Sequence, residues 1–233
     1  MIFLHRASAV STEIRAGDLE VGQEVLLHEN GVPANYLVVH QGLPSDLYDA
    51  SCEGTWLLRK DIAENQVWDS GNSNVLEASD IQAYLNGDWL AKYDAGVQSA
   101  IKQIKLPYRK NGGSGGTDQS GANGLSCKIF LLSGYEVGWN QSDGFVLPVD
   151  GAKLSYFESG TTADSAKNKR IAKLNGRAAM WWTRTQVVDT TNALRYVNTI
   201  GTSNGGSANG SCGLRPALIL PYDFTFQESE VAA

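Results

Sequence analysis

Residues 180–186 read MWWTRTQ, and how this run is read decides the layout of the chain around it. Successive side chains of a strand point to opposite faces, so if the run is extended, Trp181 and Trp182 cannot both enter one core. One tryptophan is expected to anchor the strand in the core, and the other to brace the base of the segment that follows. Arg184 lies in the same run and Arg215 in GLRPALILP (213–221). Both arginines sit among apolar residues, where a buried guanidinium must be paired with a carboxylate or with backbone carbonyls. The roles expected of Trp181, Trp182, Arg184 and Arg215 are therefore structural.

Toward the C-terminus, short polar residues dominate from Thr185 to Ser211, between the runs AAMWWTRT and CGLRPALILP. ALRYVNTI (193–200) is a β-like run inside this stretch, whereas TSNGGSANGS (202–211) reads as a loop. A surface that varies needs a scaffold that does not depend on it, and segment 183–211 has the composition of such a displayed surface. Thr183, Thr185, Gln186, Asp189, Asn192, Asn198, Thr202, Asn204 and Asn209 can hydrogen-bond a partner, and Arg195 and Tyr196 are of the types that dominate contact energy at interfaces. Two readings stand open here: a binding surface built from these residues, or an ordinary polar loop with Tyr196 packed into the core.

Toward the N-terminus, QEVLLHE (23–29), Asn30-Gly31 and VPANYLVVHQ (32–41) read as a hairpin, because Asn-Gly supplies the positive φ angles of a tight turn. TWLLRK (55–60) continues the strand character after a loop. Ser79 opens a helix with the start signal S-x-x-Q, Ile81, Tyr84 and Leu85 share its face, and Asn86-Gly87 is expected to end it. Asp94 is expected to cap a second helix, with Val97, Ile101 and Ile104 at helical spacing and Pro107 as its stop. NGGSGGTDQSGANG (111–124) is glycine-rich, yet a β-prone run follows where a phosphate cradle needs a helix N-terminus, and no G-K-[ST] lysine is present. It reads as a flexible loop. ADSAKNKRIAKL (163–174) reads as a short helix with a basic exposed side. Residues 1–16 stand apart as an extension, 17–227 form one domain, and the tail 228–233 is expected to fray. The fold class that results is α+β, with short early helices, small antiparallel sheets and long loops.

Composition removes several function classes. The chain has 233 residues, 42% of them hydrophobic, enough for one sizeable core. Nineteen Lys and Arg against 25 Asp and Glu give a net charge of −6 without a basic cluster, which argues against nucleic acid as partner. No apolar run reaches the length of a membrane span, and MIFLHRASAV is too short an apolar start for a signal peptide. Cys52, Cys127 and Cys212 are far apart and odd in number, and suit buried thiols better than a disulfide framework or a zinc site. His5, His28 and His40 form no metal-ligand pattern. Asp69-Ser70-Gly71-Asn72 and Asp143-Gly144 read as turns rather than a calcium loop. No cofactor or metal is expected, and no Ser/His/Asp or Cys/His set can be assembled from motifs.

Several blocks in one order, SDIQAYLNGDWL (79–90), AIKQIKLPYRK (100–110), SGANGLSCKIFLLSGYEVGW (120–139), AKLSYFESG (152–160), RIAKLNGRAAMWWTRT (170–185) and GLRPALILP (213–221), resemble a domain of unknown function common in gut bacteria and their phages. Members of that type carry W-W-L-R-S-P where this chain has Trp181 through Gln186, and then pass through a variable polar segment to G-[IVL]-R-P-A. That ending is similar to the C-type-lectin-like fold in its formylglycine-generating-enzyme (sulfatase-modifying factor) form, shared by variable proteins of diversity-generating retroelements. The resemblance implies a lectin-like domain displaying 183–211, on a phage or prophage virion or as an adhesin-like module at a cell surface, made in the cytoplasm. Its partner would be a bacterial cell-surface protein or glycan, with other virion proteins as further partners; oligomeric state stays open. Two other readings remain, a structural virion decoration protein and a formylglycine-generating-type enzyme. The enzyme depends on a closely spaced, copper-binding cysteine pair near the arginine-bearing strand, and MWWTRTQ has no cysteine.

Overall fold

The computed structural model describes residues 12–141, 146–160 and 162–232. The expectations for residues 1–11, His5 included, and for the Asp143-Gly144 turn lie outside the described residues.

Ten strands form two five-stranded sheets. They are β1 (Glu24–Glu29), β2 (Val32–Gln41), β3 (Thr55–Arg59), β4 (Glu64–Val67), β5 (Ile129–Phe130), β6 (Trp181–Gln186), β7 (Ala193–Val197), β8 (Ser203–Ser207), β9 (Ser211–Leu214) and β10 (Ala217–Leu220). The first sheet has the order β5-β10-β3-β2-β1 and the second β8-β7-β6-β9-β4. All neighbours are antiparallel except β6 and β9. Two-stranded ribbons and three short helices, α1 (Asp80–Tyr84), α2 (Ala95–Ala100) and α3 (Asp164–Arg170), complete a mixed α+β chain. No helix among the described residues is long and apolar enough to cross a membrane.

The first hairpin forms as its sequence dictates: Glu29 faces Val32, and Asn30 and Gly31 take φ of 52° and 75°. The apolar runs in β3 and β10 are continuous rather than alternating, the pattern of strands covered on both faces. Alternation then divides their side chains between two cores. Leu57, Leu218 and Leu220 join Val25, Trp68, Trp89 and Tyr93 in one. Trp56, Leu58, Ala217 and Ile219 join Phe130, Trp139 and Leu132 in the other. The same division resolves MWWTRTQ, because Trp182 belongs to the first core and Trp181 to the second. Both indoles are buried, and each N–H donates to a carbonyl, Trp181 to Arg170 and Trp182 to Gln66, at 2.9 Å in both cases.

Elsewhere long-range packing overrides local signals. Ser79 caps α1 by accepting from Gln82 N, but Asn86-Gly87 does not end the helical path, which continues as a π turn over Leu85–Trp89. Asn86 is used sideways: its amide accepts from the Lys128 and Ile129 N–H groups and donates to the Ile129 carbonyl. The second helix stops at Ala100, before Ile104 and Pro107, because Ile104 is taken into a ribbon opposite Cys127. The glycine-rich stretch is an ordered hairpin, Tyr108–Lys110 against Thr117–Gln119. In α3 the expected basic side is incomplete, since Arg170 is buried and donates to the carbonyls of Gly201, Val137 and Gly160.

Both ends of the described chain are tied down. Glu13–Arg15 pairs with Thr225–Gln227, and Ala16 is fully buried. The tail forms a 3-10 turn over Glu228–Glu230 with a reciprocal capping box between Gln227 and Glu230, and Ala232 N–H donates to the Glu24 carbonyl. The fraying expected of residues 228–232 is opposed by these bonds.

Candidate functional site

The predicted displayed segment is built on β6, all six of whose residues are buried. Its pairing with β7 runs Trp181–Val197 and Trp182–Tyr196, then slips to Gln186–Leu194, so Thr183, Arg184 and Thr185 together face Arg195. Such a bulge re-aims side chains. Here it closes on itself through the Thr183 hydroxyl, which donates to the Arg195 carbonyl at 2.7 Å, and turns Arg184 N–H toward the Leu132 carbonyl at 3.0 Å.

Below the bulge lies a buried polar cluster. Arg184 forms a bidentate pair with Glu136, both N–O distances 2.6 Å, and donates to the carbonyls of Leu131 and Asp150. Glu136 also accepts from the Tyr48 hydroxyl at 2.8 Å and from Ser133 N–H at 2.8 Å. Thr185 donates to Asp150 at 2.6 Å and accepts from Gly134 N–H. Burial pushes the Asp150 carboxyl up to about 7, against the opposing pull of Arg184. Of the predicted contact residues, Thr183, Thr185 and Gln186 are thus interior: the first two serve these bonds, and Gln186 donates to the Arg109 carbonyl.

The outer strands carry the rest. TSNGGSANGS, expected as a loop, supplies β8, which pairs residue for residue with β7 from Ala193–Ser207 to Val197–Ser203. Asn and Gly gave no strand signal because their pairing comes from the partner strand rather than from side-chain propensity. Alternation separates the two strongest candidates. Tyr196 packs over Gly206 and edge-on against Trp182, ring centroids 5.9 Å apart. Arg195 points to the other face, beside Gly205 and Val187, with Asp189 as its favourable charge. Arg195 and Tyr196 therefore do not form one patch. Asn198 and Thr202 shape the β7–β8 turn: Asn198 Oδ1 accepts from the Ile200 and Thr202 N–H groups and its amide donates to the Thr202 hydroxyl.

The loop after β6 is pinned from outside. Buried Asn74 donates to the carbonyls of Thr190 and Ala193 and accepts from Gly113 N–H, while Ser114 N–H donates to the Thr190 carbonyl at 2.7 Å. This fixes Asn192 at half burial next to Ala208, whose N–H donates to the Asn192 carbonyl. Asp189, Asn204 and Asn209 are exposed, whereas Asn192, Arg195, Tyr196, Asn198 and Thr202 are half-buried. Asn74, Glu136 and Asp150 were not singled out in the sequence. Apart from Ser133, three positions from Glu136, their partners lie 34 to 119 positions away, and only the rule that a buried guanidinium needs a carboxylate pointed toward any of them.

Among the described residues no group of three or more His, Cys, Asp or Glu side chains is placed to hold a metal ion. Cys52, Cys127 and Cys212 are free and buried, and burial pushes their thiols up to about 11, 12 and 12. A thiol so raised is protonated at neutral pH and a weak nucleophile.

Comparison with protein-family models matches residues 53–222 to the Domain of unknown function (DUF6273). No curated protein and no solved structure matches the chain.

Proposed function

The chain belongs to the family of the Domain of unknown function (DUF6273), and from that premise we propose that it is a non-enzymatic ligand-binding and display module with a C-type-lectin-like organisation. In this reading it is carried on a phage or prophage virion, or at a cell surface, and recognises a bacterial surface protein or glycan through the β7–β8 ribbon and its flanking loops. Residues 183–211 would be the segment diversified if a retroelement is involved. The observation that supports it is the division of labour within 183–211: every residue of β6 is buried, while Asp189, Arg195, Asn204 and Asn209 themselves belong to neither core. Residues that carry no core can change without unfolding what carries them.

The test is binding of the labelled domain, made multivalent to compensate for weak single sites, to a panel of gut bacterial cells. The comparison is a variant with Asp189, Arg195 and Asn204 changed to alanine and its fold verified. Selective binding that the variant loses is the expected result. If the intact multivalent domain binds no cell, the structural decoration reading takes its place.

A further inference from the structure

The two arginines that the sequence pairs as structural are not equivalent. Arg184 is balanced by Glu136, but Arg215 is 1% exposed and no carboxylate among the described residues pairs with it. Its Nε donates to the Arg59 carbonyl at 2.9 Å, and its guanidinium carbon lies 4.8 Å from the centroid of the Trp181 ring. These contacts fix the plane of the group without neutralising it. Nη1 is buried and has no acceptor among the described residues. Burial accordingly pulls the guanidinium down to about 10, with Tyr156 and Asp61 only partly offsetting the loss of solvent, so at neutral pH the charge is present and only partly compensated. A buried charge in that condition is costly unless something pairs with it.

Arg215 lines a half-enclosed cavity of about 360 Å³, within the size range of small-molecule sites. The cavity is also lined by Lys60, Lys169 and Lys173, against the carboxylates of Glu24 and Asp61. Lys60 is engaged by Glu24 at 2.5 Å, and Lys169 reaches Glu158 at 3.4 Å while lying over the Tyr156 ring. The lining therefore carries more positive than negative charge in a molecule whose net charge is −6. A guanidinium fixed in plane, with donors to spare, matches a two-oxygen acceptor.

We propose that this cavity is an oxyanion site, in which Arg215 takes the carboxylate or phosphate group of a small solute and the lysines steady it from the rim. None of its lining residues lies in 183–211, so the site stands apart from the display face, and its success or failure leaves that reading untouched.

The experiment is calorimetric titration of the intact chain at low ionic strength with sodium glucuronate, inorganic phosphate and, as the neutral control, glucose. Saturable one-to-one binding with a Kd of roughly 1 mM or tighter is expected for at least one anion and not for glucose. Glucuronate alone assigns a carboxylate ligand, and phosphate alone assigns a phosphate. Arg215→Gln should abolish binding. Because that variant alters a buried group and can unfold, the exposed Lys173 and Asp61 supply an independent pair: Lys173→Ala should weaken binding, and Asp61→Asn strengthen it, each by about threefold or more. The proposal is overturned if neither anion binds the intact chain, or if the Lys173 and Asp61 variants bind as it does.

Discussion

At the scale of single residues, the informative group is Asp150. Glu136 takes the buried Arg184 guanidinium with its carboxylate, whereas Asp150 offers it only a backbone carbonyl, and the Asp150 carboxyl, bonded to Thr185, is the one pushed up to about 7. The unfolded chain would ionise it near its ordinary value of 3.8. Between these limits the folded state holds a proton that the unfolded state has released, so stability falls as pH rises, and above about 7 the contribution is gone. The chain should therefore be less stable at pH 8 than at pH 5 by about 2 kcal/mol from this group. Asp150→Asn, which keeps the shape and a hydrogen bond to Thr185, should flatten that slope; urea melts at the two pH values for both proteins check it, and an unchanged slope in the variant refutes the assignment. Half-buried His40, whose imidazole is pulled down by burial, acts in the opposite sense on the acid side and is common to both proteins. The need for a partner at Arg184 was legible in the sequence, and its identity was not. Glu136 is 48 positions away in a stretch without periodic pattern, and no local rule reaches that far.

At the scale of elements, legibility followed the source of each element's stability. The Asn30-Gly31 hairpin and the Ser79 cap are set by local chemistry and formed as read. β8, the π turn after α1 and the early end of α2 are set by what lies across from them, so propensity and spacing misplaced them. The glycine-rich hairpin shows the same dependence from the other side. Gly113 lies so close to the loop after β6 that a Cβ there would run into the carbonyl oxygens of Val187 and Thr190 and the Asn74 amide. The glycine is demanded by a neighbouring segment rather than by flexibility of its own. Gly113→Ala should push that loop off its anchors at a cost of about 2 kcal/mol or more. The matching readouts are a Tm lowered by at least about 4 °C and faster exchange of the Ser114 and Asn74 amides, both of which donate into the loop. An alanine variant with wild-type Tm and protection would mean that the hairpin and loop are not coupled.

At the scale of the whole molecule, the question is whether the fold tolerates change in its outer ribbon. The two cores meet on opposite sides of β3, β10 and the start of β6, so each sheet is held from both faces by residues distant in sequence. That arrangement makes the interior indifferent to residues lying outside it. Asp189, Thr199, Asn204 and Asn209 are exposed, and the Asn204 side chain accepts only from the neighbouring Gly205 N–H among the described residues. Exposed substitutions of this kind each change stability by about 0.5 kcal/mol or less, and distant ones add. Changing all four to alanine should therefore move the Tm by no more than about 8 °C. Asn74→Ala, a single change at a buried amide that bonds Thr190, Ala193 and Gly113 at once, should cost as much or more, because it leaves the buried Gly113 N–H without its acceptor and takes one of two donors from each of the Thr190 and Ala193 carbonyls. The ordering of the two melting temperatures is the decisive comparison. If the fourfold variant unfolds while the Asn74 variant does not, the ribbon is part of the scaffold, and a display surface must be sought elsewhere on the molecule.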